Sequence, residues 1–146
     1  MFRSAPRSTD YALLMLRLAT IFVFLPHGLT KAFNWPMASA MFTGMGFPGW
    51  LGPITGIVEV IASVLLLVGF LNKWASLAFL TIMAAAITGV HVPLSVAAGS
   101  PTPGLERDVL LVAAVLVLMA FGPGAIAIDS QAPSLANPSP AERSFQ

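Results

Sequence analysis

The sequence predicts an all-α, polytopic membrane protein: a four-transmembrane-helix bundle with an interfacial or re-entrant first outer loop. Three observations point there. Hydrophobic residues make up 57% of the 146 and charged residues 9%, against roughly 25% charged in an ordinary soluble domain. The apolar runs approach the ~20 residues needed to cross a bilayer. Four ionisable residues, Arg17, His27, Glu59 and His91, fall inside those runs. Burying charge in hydrocarbon is expensive, so such side chains usually face a bundle interior and have a task there.

Each element follows in order. Residues 1–10 are a polar cytoplasmic lead, residues 11–128 the membrane domain, and residues 129–146 a flexible polar, Pro/Ser-containing tail. The first span covers residues 11–33, and Pro26 interrupts it, freeing the Phe22 carbonyl and favouring a kink. A secretory signal fits this start less well than a span, because Arg17 interrupts the apolar core and residues 26–37 are too long and too charged for a cleavage region. Residues 34–50 are too apolar for a solvated loop and too broken for a span, and their tryptophans and phenylalanines suit the membrane interface.

The second span covers residues 51–70, where Gly52 and Gly56 form a G-x-x-x-G face for a close neighbour. Thr55, Glu59 and Ser63 recur every fourth residue and make one polar stripe. Asn72-Lys73 is a tight turn into the third span, residues 74–92. Residues 93–105, rich in Pro, Gly and Ser, read as a loop, and the fourth span covers residues 106–121 before Gly122-Pro123-Gly124. Four spans put both termini on one side. Arg3, Arg7, Lys73 and Arg143 share that side against Lys31 and Arg107 on the other, which makes the termini cytoplasmic in an inner membrane.

Composition removes several function classes. No basic patch with interleaved aromatics is present at a net charge of +1, so nucleic acid is not a partner. The chain has no cysteine, which excludes disulfides, thiol exchange and thiolate metal ligands. No dinucleotide, flavin, haem or iron–sulfur signature occurs, so no cofactor is intrinsic to the chain and catalysis by it alone is doubtful.

An ordered set of short pieces resembles the DoxX family of small four-span membrane proteins. The pieces are Leu16-Arg17-Leu18, His27-Gly28 with Lys31-Ala32-Phe33, Met45-Gly46-Phe47-Pro48, Gly56-Ile57-Val58-Glu59-Val60, Asn72-Lys73, His91, Glu106-Arg107, and Gly122-Pro123-Gly124 with Asp129. Together they cover about residues 10–130. The sequence departs from the family at Val60-Ile61-Ala62-Ser63, where a glycine pair is usual. The resemblance implies a four-helix inner-membrane protein. Its relatives are linked to quinone-coupled sulfur oxidation, to oxidative-stress complexes and to resistance against quinones and catechols, and the family is distantly similar to a eukaryotic cargo receptor.

Depth can be counted at ~1.5 Å per helical residue. From the outer ends of the spans, His27 lies about 9 Å deep, Glu59 about 12 Å and His91 about 4 Å, while Arg17 lies about 24 Å away. His27, Glu59, His91 and Lys31 therefore converge on an outer-leaflet pocket, with Glu106-Arg107 bordering it. Plain structural roles stand beside this reading. Arg17 snorkels or pairs with Glu59, Glu59 is a protonated core acid, and His27 caps carbonyls freed by Pro26. His91 and Lys31 are interfacial, the aromatic loop is a bilayer anchor, and Asp108 and Asp129 are span-end charges.

The chemistry favours a quinone or quinol site serving a membrane oxidoreductase complex. A histidine donor and a carboxylate relay, His27 and Glu59, deliver protons where charge develops on the ring. Arg17, Lys31 and His91 surround them, and Trp35 and Trp50, with Phe42 and Phe47, cover the ring. The partners are the lipid bilayer, a membrane or peripheral redox protein, and further copies of the chain. A weaker alternative is non-haem iron on His27, Glu59 and His91, which supply two imidazoles and one carboxylate. Two others are a non-catalytic structural or assembly subunit and a proton-coupled small-molecule transporter.

Overall fold

The computed structural model describes residues 7–129, so the first six residues and the tail beyond Asp129 lie outside the described residues. All regular structure among the described residues is helical: α1 (Ser8–Phe33), α2 (Trp35–Gly44), α3 (Leu51–Val68), α4 (Asn72–Ala86), a π-helical turn (Ile87–His91), α5 (Val92–Ala98) and α6 (Pro103–Phe121).

Three of these segments, not four, are long and apolar enough to cross a membrane: Ser8–Phe33, Leu51–Val68 and the continuous Asn72–Ala98. This corrects the four-span expectation. The helix expected to be the fourth, α6, carries Glu106, Arg107 and Asp108 in its first turns. What remains apolar, residues 109–121, is only about 20 Å of helix, short of a ~30 Å hydrocarbon core. The chain is a multi-pass membrane protein in which α6 packs beside the spans.

α1 begins where the Asp10 carboxylate accepts from the Arg7 backbone N–H at 2.8 Å. It stays helical through Pro26, where an interruption was expected. One proline removes a single ladder bond, and its neighbours hold the turn. Thr30 Oγ1 donates to the Pro26 carbonyl at 2.8 Å.

α1 crosses α3 at contact distance because both helices present glycine there. A Cβ on Gly28 would lie 2.8 Å from the Glu59 Cβ, and one on Gly56 2.6 Å from both the Lys31 Cβ and the Ala32 nitrogen. Gly52 in turn receives the Ala38 backbone of α2. The G-x-x-x-G face thus serves two neighbours, the end of α1 and the short helix after it. The connection over residues 34–50, expected to be interfacial or re-entrant, is helical over Trp35–Gly44, with Asn34 Oδ1 capping the Met37 N–H.

α3 ends at Gly69 in the left-handed region, with φ +67°, and the Phe70 N–H returns to the Leu65 carbonyl. The third span does not stop at Val92. It widens into the π turn, where the Val92 N–H reaches the Ile87 carbonyl, and continues as α5 to Ala98 over residues expected to be loop. An extra residue in the turn eases the clash a proline ring makes with the carbonyl four residues earlier, and Pro93 is the proline in question. Gly99 in the left-handed region, φ +70°, ends it. Thr102 caps α6 through the Leu105 N–H, and Pro103 occupies its first turn.

The core lies between α1, α3, α4 and α6. Phe24 and Phe79 stack with centroids 4.0 Å apart, and Leu66, Val115 and Leu118 are fully buried around them. The outer surface is apolar as well. Phe22 at 80% exposure, Leu110 at 72% and Phe121 at 72% point away from the bundle, as a lipid-facing surface requires.

Candidate functional site

Six helical segments line a cavity of about 480 Å³, α4 contributing Ile82, Met83 and Ala86 to its apolar wall. α1 supplies His27 and Lys31, α3 supplies Thr55 and Glu59, the π turn supplies His91, and α6 supplies Arg107 and Asp108. Phe42 of α2 and Phe47 of the following turn close another wall, with ring centroids 6.2 Å apart.

Small residues make these placements possible. A Cβ on Gly89 would sit 2.5 Å from the Phe47 ring, so only glycine lets that ring lie against the π turn. A Cβ on Gly104 would sit 2.5 Å from His91 Cε1, so glycine at the start of α6 makes room for the imidazole. His91 itself gains depth from the longer third helix. Counted back from Ala98 it lies about 10 Å in, level with His27 and Glu59.

The polar end of the cavity is built from two ion clusters. Lys31 Nζ donates to Glu59 Oε1 at 2.6 Å, with only 12% and 3% of the two side chains exposed. Glu59 Oε2 is buried and has no hydrogen-bond partner. Opposite, Arg107 holds Asp108 Oδ1 through Nη2 at 2.9 Å and Nε at 3.0 Å. His91 Nε2 lies 3.1 Å from Asp108 Oδ2, an ion-pair contact whose alignment falls short of a hydrogen bond. His27 lines the same cavity and is exposed.

Thus His27, Lys31, Glu59 and His91 come together as their depths indicate, and three expected members do not join them. Arg17 neither pairs with Glu59 nor lines the cavity. It is buried at the other end of the bundle, where its guanidinium donates to the carbonyls of Leu66 (2.8 Å), Leu67 (2.5 Å), Pro123 (3.0 Å) and Ile126 (2.8 Å). Leu66 is seven residues past Glu59, about 10 Å along the helix, which the guanidinium does not bridge. Trp35 and Trp50 are 58% and 63% exposed and stand outside the lining, and the cavity's aromatic wall is Phe24, Phe42 and Phe47.

Among the described residues no group of three His, Asp or Glu side chains is close enough to hold a metal ion. The iron alternative on His27, Glu59 and His91 is therefore set aside. Glu59 is committed to Lys31, and His91 faces Asp108 instead.

Asp108 and Arg107 belong to the site more intimately than the sequence indicates. The signal was present: Asp108, Leu111, Val115 and Leu118 fall on one helical face, and all four are buried. Asp129, expected to be a bare span-end charge, caps α4 by accepting from the Leu71 and Asn72 N–H groups at 3.2 and 3.1 Å. Asn72 Nδ2 donates to the Leu118 carbonyl at 2.7 Å, tying the start of α4 to the end of α6.

Residues 12–92 match the DoxX family. The chain belongs to the DoxX family. The match runs from the start of α1 through the π turn and so contains Lys31, Glu59 and His91, while Arg107 and Asp108 lie beyond it. An uncharacterized protein of Haemophilus influenzae is 28% identical over 123 residues, covering 83% of this chain and 90% of that protein. No solved structure matches the chain.

Proposed function

We propose that this DoxX-family protein is a quinone- or quinol-associated accessory of a membrane oxidoreductase complex, holding the ring in the cavity between α1, α3, the π turn and α6. One observation carries the reading. The cavity has apolar and aromatic walls, and its polar end offers an ammonium beside a buried carboxylate oxygen that lacks a partner. Its volume of about 480 Å³ is that of a small-molecule site.

The chemistry is complementary to such a ring. A quinone carbonyl accepts from Lys31 Nζ, and a quinol hydroxyl donates to Glu59 Oε2. Two-electron reduction adds one proton to each carbonyl oxygen, and Glu59, His27 and His91 are the groups placed to pass protons. The two electrons are supplied by a redox protein partner in or on the membrane. A purely structural subunit is less well supported, because Glu59 borders a cavity and Arg17 stands apart from it.

We place the end carrying Arg7 and Lys73 in the cytoplasm and the cavity toward the outer leaflet of an inner membrane, following the positive-inside bias. The test of function is electron transfer to an added quinone in native membranes. Glu59→Gln and His27→Ala are each expected to abolish it with membrane insertion unchanged, and undiminished activity in both variants overturns the reading.

A further inference from the structure

The cavity has a neighbour on the outer face of the bundle. A second depression runs between α1 and α6, and it shares Val23, Arg107 and Leu111 with the cavity wall. From there it follows Ala19 and Leu16 along α1 and Leu110 and Ala114 along α6. From Val23 to Leu16 it extends about 10 Å toward the Arg17 end of the bundle.

Its chemistry is opposite to that of the cavity's polar end. The one hydroxyl in its wall, on Thr20, is spent on the Leu16 carbonyl at 2.8 Å. Its charges, Glu106 and Arg107, sit together in the first turns of α6, at the end that joins the cavity. Two alanines facing each other across a helix pair leave a trough where larger side chains would close it. Leu110, at 72% exposure, marks the outer lip.

We infer that this groove is a lateral portal from the bilayer into the cavity, and that it holds the apolar tail of a ligand whose polar ring is seated at Lys31 and Glu59. The inference rests on the cavity reading above and extends it. The ligand is an amphiphile with a ring and a chain, and it enters sideways from lipid without passing through water. Val23 and Leu111 form the threshold, and Arg107, held by Asp108, stands at the junction of head and tail.

The test compares two probes on the purified chain in lipid nanodiscs. One is tailless 2,3-dimethoxy-5-methyl-1,4-benzoquinone, and the other is its decyl homologue, with concentrations expressed per lipid. Ala114→Trp and Ala19→Trp fill the groove. Each is expected to weaken the decyl probe at least about fivefold, the lower end of an overpacking cost of about 1–3 kcal/mol, and to leave the tailless probe within about twofold. Val64→Trp, on the exposed face of α3, is expected to change neither.

Equal loss for both probes, or no loss for either, overturns the portal. Failure of both probes to bind the wild-type chain overturns the cavity reading and the portal with it. Tailless binding that survives beside an unaffected decyl probe overturns the portal alone. A decyl probe with a diazirine at its chain end gives an independent check on the unaltered chain. Cross-links are expected within residues 16–23 and 107–114, and labelling spread over the outer faces of α3 and α4 overturns the proposal.

Discussion

Lys31 and Glu59 are each removed from solvent, and each has the other as its main compensation. A buried pair of this kind gains little over an apolar pair of equal volume, yet breaking it leaves one charge stranded. Lys31→Met is therefore expected to destabilise the detergent-solubilised protein by about 3–5 kcal/mol. Lys31→Met/Glu59→Met is expected to recover most of that loss in the same unfolding titration. A double variant no more stable than the single one would show that the pair is not the source of the effect. The sequence makes this pair legible in part, since Lys31 near the outer surface and Glu59 about 12 Å deep converge on one outer-leaflet pocket. Arg17 was not legible in the same way. Its partners are backbone carbonyls at Leu66, Leu67, Pro123 and Ile126, and no side-chain pattern advertises a carbonyl.

The α1–α3 crossing sets where those side chains meet. Gly56 lies against the Lys31 Cβ and the Ala32 nitrogen, so any added methyl meets backbone that cannot rotate away. Gly56→Ala is expected to cost about 1–3 kcal/mol as overpacking, against the usual small gain from replacing a helical glycine. Gly44→Ala is the control, since a Cβ there meets nothing within 4 Å. Equal stability of the two variants in detergent unfolding would mean that the helices are free to separate. This crossing was readable from Gly52 and Gly56, although the sequence did not show that two different helices use them. The π turn was not readable at all. Ile87 to His91 has no composition of its own, and Pro93 suggested an ending where the helix widens and continues to Ala98. The apolar stretch of α6 suggests a span, but three consecutive charges at its start leave too few apolar residues to cross.

At the scale of the whole molecule, the bundle has two unlike ends. One holds the cavity with its paired charges. The other is closed by backbone: Arg17 on four carbonyls, Asp129 on the start of α4, and the Ile128 N–H on the Val68 carbonyl. Asp10 also joins this second end by accepting from the Ala125 N–H at 2.7 Å, so the described chain begins and finishes there. The closed end can hold the helices in register while the cavity end stays open to a ligand. The arrangement also fixes which loops lie on which side. Ser8 and Lys73 belong to the closed end and Ser100 follows α5 at the other, and all three are exposed. Because the chain has no cysteine, single replacements report cleanly. Ser100→Cys is expected to react with a membrane-impermeant maleimide in intact spheroplasts, whereas Ser8→Cys and Lys73→Cys are expected to react only after permeabilisation. Reaction of Lys73→Cys and Ser100→Cys from the same side would rule out a crossing by Asn72–Ala98, and a clean reversal of sides would keep the crossing but invert the orientation.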